Sequence, residues 1–186
     1  MTRKTEFVAM LLTLTITACQ PTGDSADPSP AVATSTDENE ASVSPLVGAW
    51  QLVARQTIAA DGTTTDDTPQ ESLFLFTEDY YSMGYAQGEE RSPLFSDPWN
   101  PTETEEQERF SSLTVNAGPY ELSGSQLILR PQFALYPVVI NAQETIEFEL
   151  SGDTLTLTYI DIVGADGSTP FFLEGGAKTL LRLVRQ

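Results

Sequence analysis

Alternation of apolar and polar residues with a period of two is the feature that most constrains how this chain can fold. In "TIEFELSGDTLTLTYI" (145–160), three apolar residues from Ile146 to Leu150 alternate with glutamates. After a Ser-Gly-Asp turn, three more from Leu155 to Tyr159 alternate with threonines. Because successive side chains of a strand point to opposite faces, this pattern predicts a β-hairpin with one apolar and one solvated face.

The same alternation recurs through the rest of the chain after residue 46. It predicts eight strands, at 48–58, 72–76, 80–87, 115–122, 126–132, 144–150, 154–161 and 178–185. Turn signals that contain Gly or Asp separate most of them. Because consecutive antiparallel strands hide their edges by closing on themselves, we expect an all-β fold, an eight-stranded antiparallel up-and-down β-barrel.

One segment interrupts the strand pattern. In "NPTETEEQERFSSL" (100–113), Thr102 and Glu105 have the spacing of a capping box, which predicts one short helix at 103–112. Because loops this long in compact barrels are often lids, we expect residues 88–112 to form a movable cover at one mouth of the barrel. Its apolar underside would be Leu94, Phe95, Trp99 and Phe110. Alternatively, these side chains plug the open end as static core.

The N-terminus has the three-part layout of a secretory signal peptide. Arg3 and Lys4 precede an apolar run at 7–18, which is too short to span a bilayer as a mature helix. The only cysteine of the chain follows directly. The residues at this boundary resemble the lipobox of bacterial lipoproteins: Ile16, Thr17, Ala18 and Cys19. The resemblance implies cleavage before the cysteine and its acylation with lipid such as palmitate. The alternative is an ordinary cleaved signal that contains a cysteine.

A linker follows the cysteine. Residues 20–44 contain no aromatic residue, Leu or Ile, so they cannot bury enough apolar surface to offset the entropy of ordering, and we expect disorder. In enterobacterial lipoproteins, an aspartate directly after the cysteine favours retention at the inner membrane. This chain has Gln20 at that position, so we expect the outer membrane. The expected organisation is a signal peptide at 1–18, a lipidated cysteine and acidic linker at 19–45, and a barrel domain at 46–186.

Composition excludes several classes of function. The chain has no histidine, and its one cysteine is assigned to the lipid. This removes Ser-His-Asp and Cys-His nucleophilic systems and metal sites built from His or Cys, so we expect no metal and no cofactor. The formal net charge of −18 argues against a nucleic-acid partner. We therefore do not expect an enzyme, although a carboxylate pair or a Tyr-Arg site could work without histidine.

At "LVGAWQLVAR" (46–55), Gly48 and Trp50 resemble the Gly-x-Trp signature of the lipocalins, and the wider phrase resembles the bacterial lipocalin-like domain. Further motifs follow in the order of that family, with "DG" at 61, "LFLFTEDYYSM" at 73–83, "TETEEQERF" at 102–110 and "GPYELSG" at 118–124. The resemblance implies that Trp50 closes one end of the barrel under an arginine of the last strand, either Arg185 or, failing that, Arg182. The alternative is that Trp50 is a plain core aromatic.

The inward side chains decide whether such a barrel is hollow or filled. We expect an apolar lining with a few tyrosine hydroxyls, formed by Leu52, Phe74, Phe76, Tyr81, Met83, Tyr120, Ile128, Phe133, Phe148 and Leu157. A hollow barrel would bind a small hydrophobic molecule or lipid in the cell envelope as a membrane-anchored lipoprotein. A filled barrel would be an interaction or structural module of the envelope. An internal void of several hundred Å³ would favour ligand binding.

Overall fold

The computed structural model of the chain describes residues 43–186, apart from the side chain of Phe171. The lipobox, Cys19 and nearly all of the predicted linker lie outside the described residues. The described part holds ten strands and one α-helix in the order β1 Gly48–Ile58, β2 Thr64–Asp67, β3 Ser72–Phe76, β4 Tyr80–Ala86, α1 Glu103–Ser112, β5 Leu113–Ser123, β6 Gln126–Leu129, β7 Phe133–Ala134, β8 Gln143–Ser151, β9 Thr154–Val163 and β10 Lys178–Arg185. Two 3₁₀ helices, Pro137–Val139 and Phe171–Gly176, lie in the connections before β8 and before β10.

Eight of these strands close into an antiparallel barrel, as predicted. The order around the barrel is β1-β3-β4-β5-β6-β8-β9-β10, and β10 pairs with β1 from Trp50↔Arg185 to Ile58↔Lys178. The eight predicted strands correspond to these eight within a few residues. Two short strands were not predicted: β2 pairs with the end of β1, and β7 pairs with the start of β5. Closure leaves the barrel strands without a long free edge.

One end of the barrel is closed by Trp50, which is fully buried. Its indole Nε1 donates a hydrogen bond to the carbonyl oxygen of Leu46 over 2.8 Å, and the guanidinium carbon of Arg185 lies 4.1 Å from the centre of its ring. The guanidinium also donates to the carbonyl oxygens of Val47 and Pro45. Gly48 has a φ of +139°, and a Cβ there would lie 2.7 Å from Arg185 Nη1. The glycine of the Gly-x-Trp motif therefore leaves room for the arginine.

The chain from β6 to β7 departs from the predicted single strand at 126–132. Pro131 cannot donate to a strand ladder, and the chain bends there against β5, where the Gln132 amide donates to the Ala117 carbonyl over 2.8 Å. A Cβ on Gly118 would collide with the backbone of residues 130 to 132. Glycine at this position permits the close approach of the two strands.

The prediction that Ile128 and Phe133 face inward was wrong. In β6, Leu127 and Leu129 are buried and Ile128 is only half-buried. Three successive apolar residues do not indicate which face is inward, and pairing of Leu127 with the buried Ile146 of β8 sets the register. Phe133 is 65% exposed. It pairs with Ala117, and the residues of β5 on either side of Ala117, Asn116 and Gly118, are the buried ones.

The α-helix begins as predicted. The side chain of Thr102 accepts a hydrogen bond from the backbone N–H of Glu105, and the Glu105 carboxylate accepts one from the backbone N–H of Thr102. The helix buries none of its residues. Within residues 43–186, no helix is both long enough and apolar enough to cross a membrane.

Candidate functional site

A cavity of about 490 Å³ lies at the end of the barrel opposite Trp50. The halves of the strands nearer to Trp50 are filled by packed side chains that include Leu52, Phe74 and Leu157. The cavity begins where this core ends, and it is lined by Met83, Tyr85, Gln87, Ser111, Thr114, Asn116, Tyr136, Val138, Val139, Glu144, Tyr159, Ile162, Gly164, Ser168, Pro170, Phe172 and Thr179. The barrel is therefore filled at one end and hollow at the other.

The lining of the cavity includes three buried polar residues, and two of them, Asn116 and Glu144, form a polar cluster. Glu144 of β8 is 2% exposed, Asn116 of β5 is 5% exposed and Thr179 of β10 is 8% exposed. Asn116 Nδ2 donates a hydrogen bond to Glu144 Oε1 over 3.1 Å. Glu144 Oε2 and Asn116 Oδ1, together with the hydroxyl of the neighbouring Tyr81, have no hydrogen-bond partner among the described residues. Buried polar atoms without partners are uncommon in proteins and call for an explanation.

Burial controls the titration of the groups around this cluster. It raises the pKa of Glu144 to about 7, because the ionised carboxylate loses its hydration. The pKa values of Tyr81 and Tyr159 are raised by burial and then by the charge of Glu144. The pKa of Tyr85 is raised as well, chiefly by burial. Among the groups that face the cavity, Glu144 is thus the one that titrates near neutral pH.

Among residues 43–186, no lysine or arginine lines the cavity. Arg55 is the basic residue that interacts with Tyr85, and its Nε already donates to Asp67 Oδ1 over 2.8 Å. In the part of the chain that the structure describes, Glu144 is also the only carboxylate in the lining. The pair of carboxylates that would favour a hydrolytic enzyme is not brought together there. Within residues 43–186, no group of three or more His, Cys, Asp or Glu side chains is placed to hold a metal ion.

The outer part of the cavity is formed by the β7–β8 and β9–β10 connections. The exposed fractions of Tyr136, Val138 and Phe172 are 46%, 41% and 38%, so apolar surface surrounds the mouth. The two connections are joined by a hydrogen bond from the Ala165 amide to the Val138 carbonyl over 2.9 Å. These loops, and not the predicted cover at 88–112, form most of the rim.

Comparison with known proteins identifies the family. The profile of the lipocalin-like domain family matches residues 47–169. The chain belongs to the lipocalin-like domain family. A crystal structure of a lipocalin-like protein from Bacteroides uniformis is also similar, with 19% sequence identity, a TM-score of 0.38, and coverage of 76% of this chain and 98% of that chain. No curated protein matches the sequence significantly. The family predicted from the sequence motifs is confirmed.

The residues predicted to line the barrel of this lipocalin-like domain fall into two groups in the structure. Met83 lines the cavity. The others that point inward belong to the packed core and do not reach the cavity, namely Leu52, Phe74, Phe76, Tyr81, Tyr120 and Leu157, with Phe148 half-buried against them. The hydroxyl of Tyr120 donates to the Thr77 carbonyl oxygen over 2.7 Å and contacts Ser44 Oγ at 2.8 Å. Most predicted lining residues are therefore structural in this lipocalin-like domain.

The prediction that Leu94, Phe95, Trp99 and Phe110 form an apolar underside of segment 88–112 was wrong. Leu94 is 91% exposed, Trp99 is 96% exposed and Phe110 is 45% exposed, while Phe95 is half-buried in a smaller pocket between the loop and α1. Only the end of α1 reaches the cavity, where Ser111 lines it and Phe110 packs edge-on against Tyr136 at 5.5 Å.

Polar contacts hold this segment in place. Glu71 accepts hydrogen bonds from Ser92 and Arg109, and Glu105 accepts one from the Ser96 amide over 2.6 Å. Hydrogen bonds rather than apolar contacts therefore fix the loop beside the barrel mouth.

Glu144 and Asn116 are the most informative of the cavity-lining residues that the sequence analysis did not select. A signal for both was present. Glu144 lies two residues before Ile146, and Asn116 lies four residues before Tyr120, so each shares the face of a predicted inward residue. Counting back in twos from Ile146 reaches Glu144, and counting back in twos from Tyr120 reaches Asn116. The alternation therefore places both side chains inside the barrel. An acidic residue on an inward face is the informative exception to the apolar pattern.

Proposed function

We propose that this lipocalin-like domain binds one small, largely apolar molecule in the cavity at the end opposite Trp50. The observation that carries the proposal is the cavity itself, which measures about 490 Å³ and combines apolar walls with a buried polar cluster. Binding sites for small molecules commonly have about 300–1,000 Å³, an apolar lining and a few polar groups that orient the ligand. A filled structural barrel would have no need of unpartnered polar atoms facing an internal void.

Native mass spectrometry of the protein purified gently from the cells that produce it tests this proposal. A bound molecule appears as a discrete mass increment with a stoichiometry of one. Thr179→Phe places a large side chain into the cavity and should remove the increment. Ser82→Phe is the matched control, because Ser82 is exposed between the buried Tyr81 and Met83 of β4. Absence of an increment from the wild-type protein, or its retention in a folded Thr179→Phe variant, would contradict the proposal.

We propose further that a lipid on Cys19 tethers the domain to the cell envelope, at the outer membrane. The sequence Ile16-Thr17-Ala18-Cys19 after an apolar run supports this. Each buried methylene of an acyl chain contributes about 0.8 kcal/mol, so several chains give a firm anchor. The linker at 20–44 would separate the anchor from the barrel.

Replacing Cys19 by Ser and fractionating the cells tests the tether. The wild-type protein should sediment with outer membranes and incorporate labelled palmitate, and Cys19→Ser should do neither. A variant that remains in the membrane pellet and still carries the label would contradict lipidation at Cys19. The binding proposal does not depend on this result.

A further inference from the structure

We propose that the ligand carries a protonated amine, which binds at Glu144 and Asn116 while its apolar part fills the rest of the cavity. This inference rests on the proposed binding function and specifies its ligand class. It is carried by the hydrogen-bonding and charge pattern of the inner cavity, where a carboxylate and an amide are nearly fully buried and incompletely bonded.

The polar atoms of the cluster that have no hydrogen-bond partner among the described residues are mainly acceptors. Glu144 Oε2 and Asn116 Oδ1 have no partner among the described residues, while Asn116 Nδ2 is already engaged with Glu144 Oε1 over 3.1 Å. A group that supplies two or more N–H donors complements this arrangement, and an ammonium group supplies three. The hydroxyl of Tyr81 is the third atom without a partner, but Tyr81 belongs to the packed core and does not line the cavity, so we do not count it among the ligand contacts.

The charge balance of the cavity points to a cation. When Glu144 is ionised, no lysine or arginine in the lining compensates its charge, and Arg55 is paired with Asp67. A buried carboxylate without a counter-charge is costly, and a bound cation would remove that cost. Tyr85, Tyr136 and Tyr159 also line the cavity, and aromatic rings attract cations.

A ligand with a carboxylate, such as a fatty acid, fits this site poorly. Its oxygens are acceptors only, and above about pH 7, where Glu144 is ionised, they would face Glu144 Oε2 and Asn116 Oδ1, which are acceptors too. Its charge would repel an ionised Glu144 in a region of low dielectric constant. Among the residues that line the cavity, no basic side chain would compensate that repulsion.

The proposal predicts a dependence of affinity on pH. The groups that interact with Glu144 are Tyr81 from β4, Asn116 from β5 and Tyr159 from β9, and Tyr85 lines the same cavity. Burial keeps the three tyrosines protonated. Glu144 must ionise before it can pair with an ammonium group, and its pKa in the free protein is about 7. Affinity for an amine should therefore rise from about pH 6 to about pH 8 and fall again as the amine itself deprotonates near pH 10.

Three probes of nearly equal size test the ligand class: 2-phenylethylamine, 2-phenylethanol and phenylacetate. Isothermal titration calorimetry with the full chain in neutral detergent measures each affinity at pH 8. Because a hydrogen bond to a charged group is worth about 1.5–3 kcal/mol, we expect the amine to bind at least about tenfold more tightly than the alcohol. Phenylacetate should bind most weakly.

The variant Glu144→Gln should bind the amine no better than the alcohol and should lose the pH dependence. The matched control is Glu147→Gln, on the exposed face of the same strand, which should retain both. If the alcohol binds as tightly as the amine, or if Glu144→Gln keeps the preference, the ligand class is wrong and the binding function stands. If none of the three probes binds and native mass spectrometry shows no bound molecule, the binding function itself fails.

Discussion

Asn116 and Glu144, on strands that lie on opposite sides of β6, meet inside the barrel through a single hydrogen bond of 3.1 Å. It is the one side-chain hydrogen bond of the carboxyl group among the described residues, and it leaves Oε2 without a partner. Burying an ionisable group with so few partners lowers the stability of the fold. Such a group is expected where binding, rather than packing, determines the residue.

The stability of the protein should depend on pH through Glu144. Its pKa is raised from 4.5 to about 7 by burial, so the unfolded state releases this proton at lower pH than the folded state does. The stability that the protonated Glu144 gives the folded state is fully present below about pH 4.5 and is lost as the pH rises through about 7. At higher pH, Glu144→Gln should be more stable than wild type by up to roughly 3 kcal/mol.

Urea unfolding of both proteins from pH 4 to pH 8 measures this difference. Other carboxyl groups, such as Glu71 and Glu105 with their lowered pKa values, give the opposite slope in both proteins and cancel in the comparison. The variant Glu147→Gln should follow the wild-type curve. A difference between Glu144→Gln and wild type that does not change with pH would show that Glu144 has an ordinary pKa in the folded state.

Trp50→Ala should destabilise the barrel by about 3 to 5 kcal/mol, because it removes a large, fully buried side chain that closes one end. Trp99→Ala is the control, and it should cost less than about 0.5 kcal/mol because Trp99 is 96% exposed. Guanidinium unfolding followed by circular dichroism compares the two variants without relying on tryptophan emission. Similar losses in both would contradict the assigned positions.

Arg185→Ala should cost about 2 kcal/mol, because the guanidinium stacks on Trp50 and donates to the carbonyl oxygens of Pro45 and Val47. Arg182, the other arginine considered from the sequence, is exposed on the outer face of β10. Arg182→Ala should change the free energy of unfolding by less than about 0.5 kcal/mol. Guanidinium unfolding measures both variants. A larger loss of stability for Arg182→Ala than for Arg185→Ala would contradict the assignment of Arg185 to the contact with Trp50.

Gly118→Ala should destabilise the barrel by about 1 to 3 kcal/mol, because its Cβ would collide with the backbone of residues 130 to 132. Gly84→Ala on the adjacent strand is the matched control. A Cβ there would meet Val115 at an ordinary distance of 3.8 Å, so the change should be neutral or slightly stabilising. Thermal unfolding compares the two, and equal melting temperatures would argue against the close approach.

Glu105→Ala should release the loop that precedes α1. The Glu105 carboxylate accepts hydrogen bonds from the amides of Ser96 and Thr102, which lower its pKa to about 2. Hydrogen exchange at these two amides should accelerate in the variant, and the difference should persist down to about pH 3. Glu103→Ala, also in the first turn of α1, should leave both amides protected. Unchanged exchange in Glu105→Ala would show that other contacts hold the loop.

The strands and the start of the helix could be predicted from the sequence because each depends on local pattern. A period of two identifies strands wherever one face is buried, as in β8 and β9. The Thr102 and Glu105 pair marks the helix start through contacts three residues apart. The closed end has a different source, because the resemblance to the lipocalin-like family implied that Trp50 lies under a C-terminal arginine. The structure places the guanidinium carbon of Arg185 4.1 Å from the centre of the Trp50 ring.

The candidate site depended on pairing between distant strands. The pairing of β8 with β9 shifts by one residue at Ile160, so Tyr159 and Ile162 point inward and Asp161 points outward. A regular strand would instead have turned Asp161 toward the interior, close to Glu144. An alternating pattern shows which residues of one strand share a face, but an extra residue reverses that assignment, and its position follows from the partner strand.

The sequence by itself thus determined which segments form strands and where the helix begins, and its resemblance to a known family implied that the barrel closes at Trp50. Only the tertiary structure decided that the core fills one half of the barrel, that Leu127 and Leu129 rather than Ile128 point inward, and that Asn116 and Glu144 meet in the other half. The physical reason is that strand identity depends on neighbours within a few residues. Cavities and buried polar contacts depend on side chains brought together by strand register, which no single strand encodes.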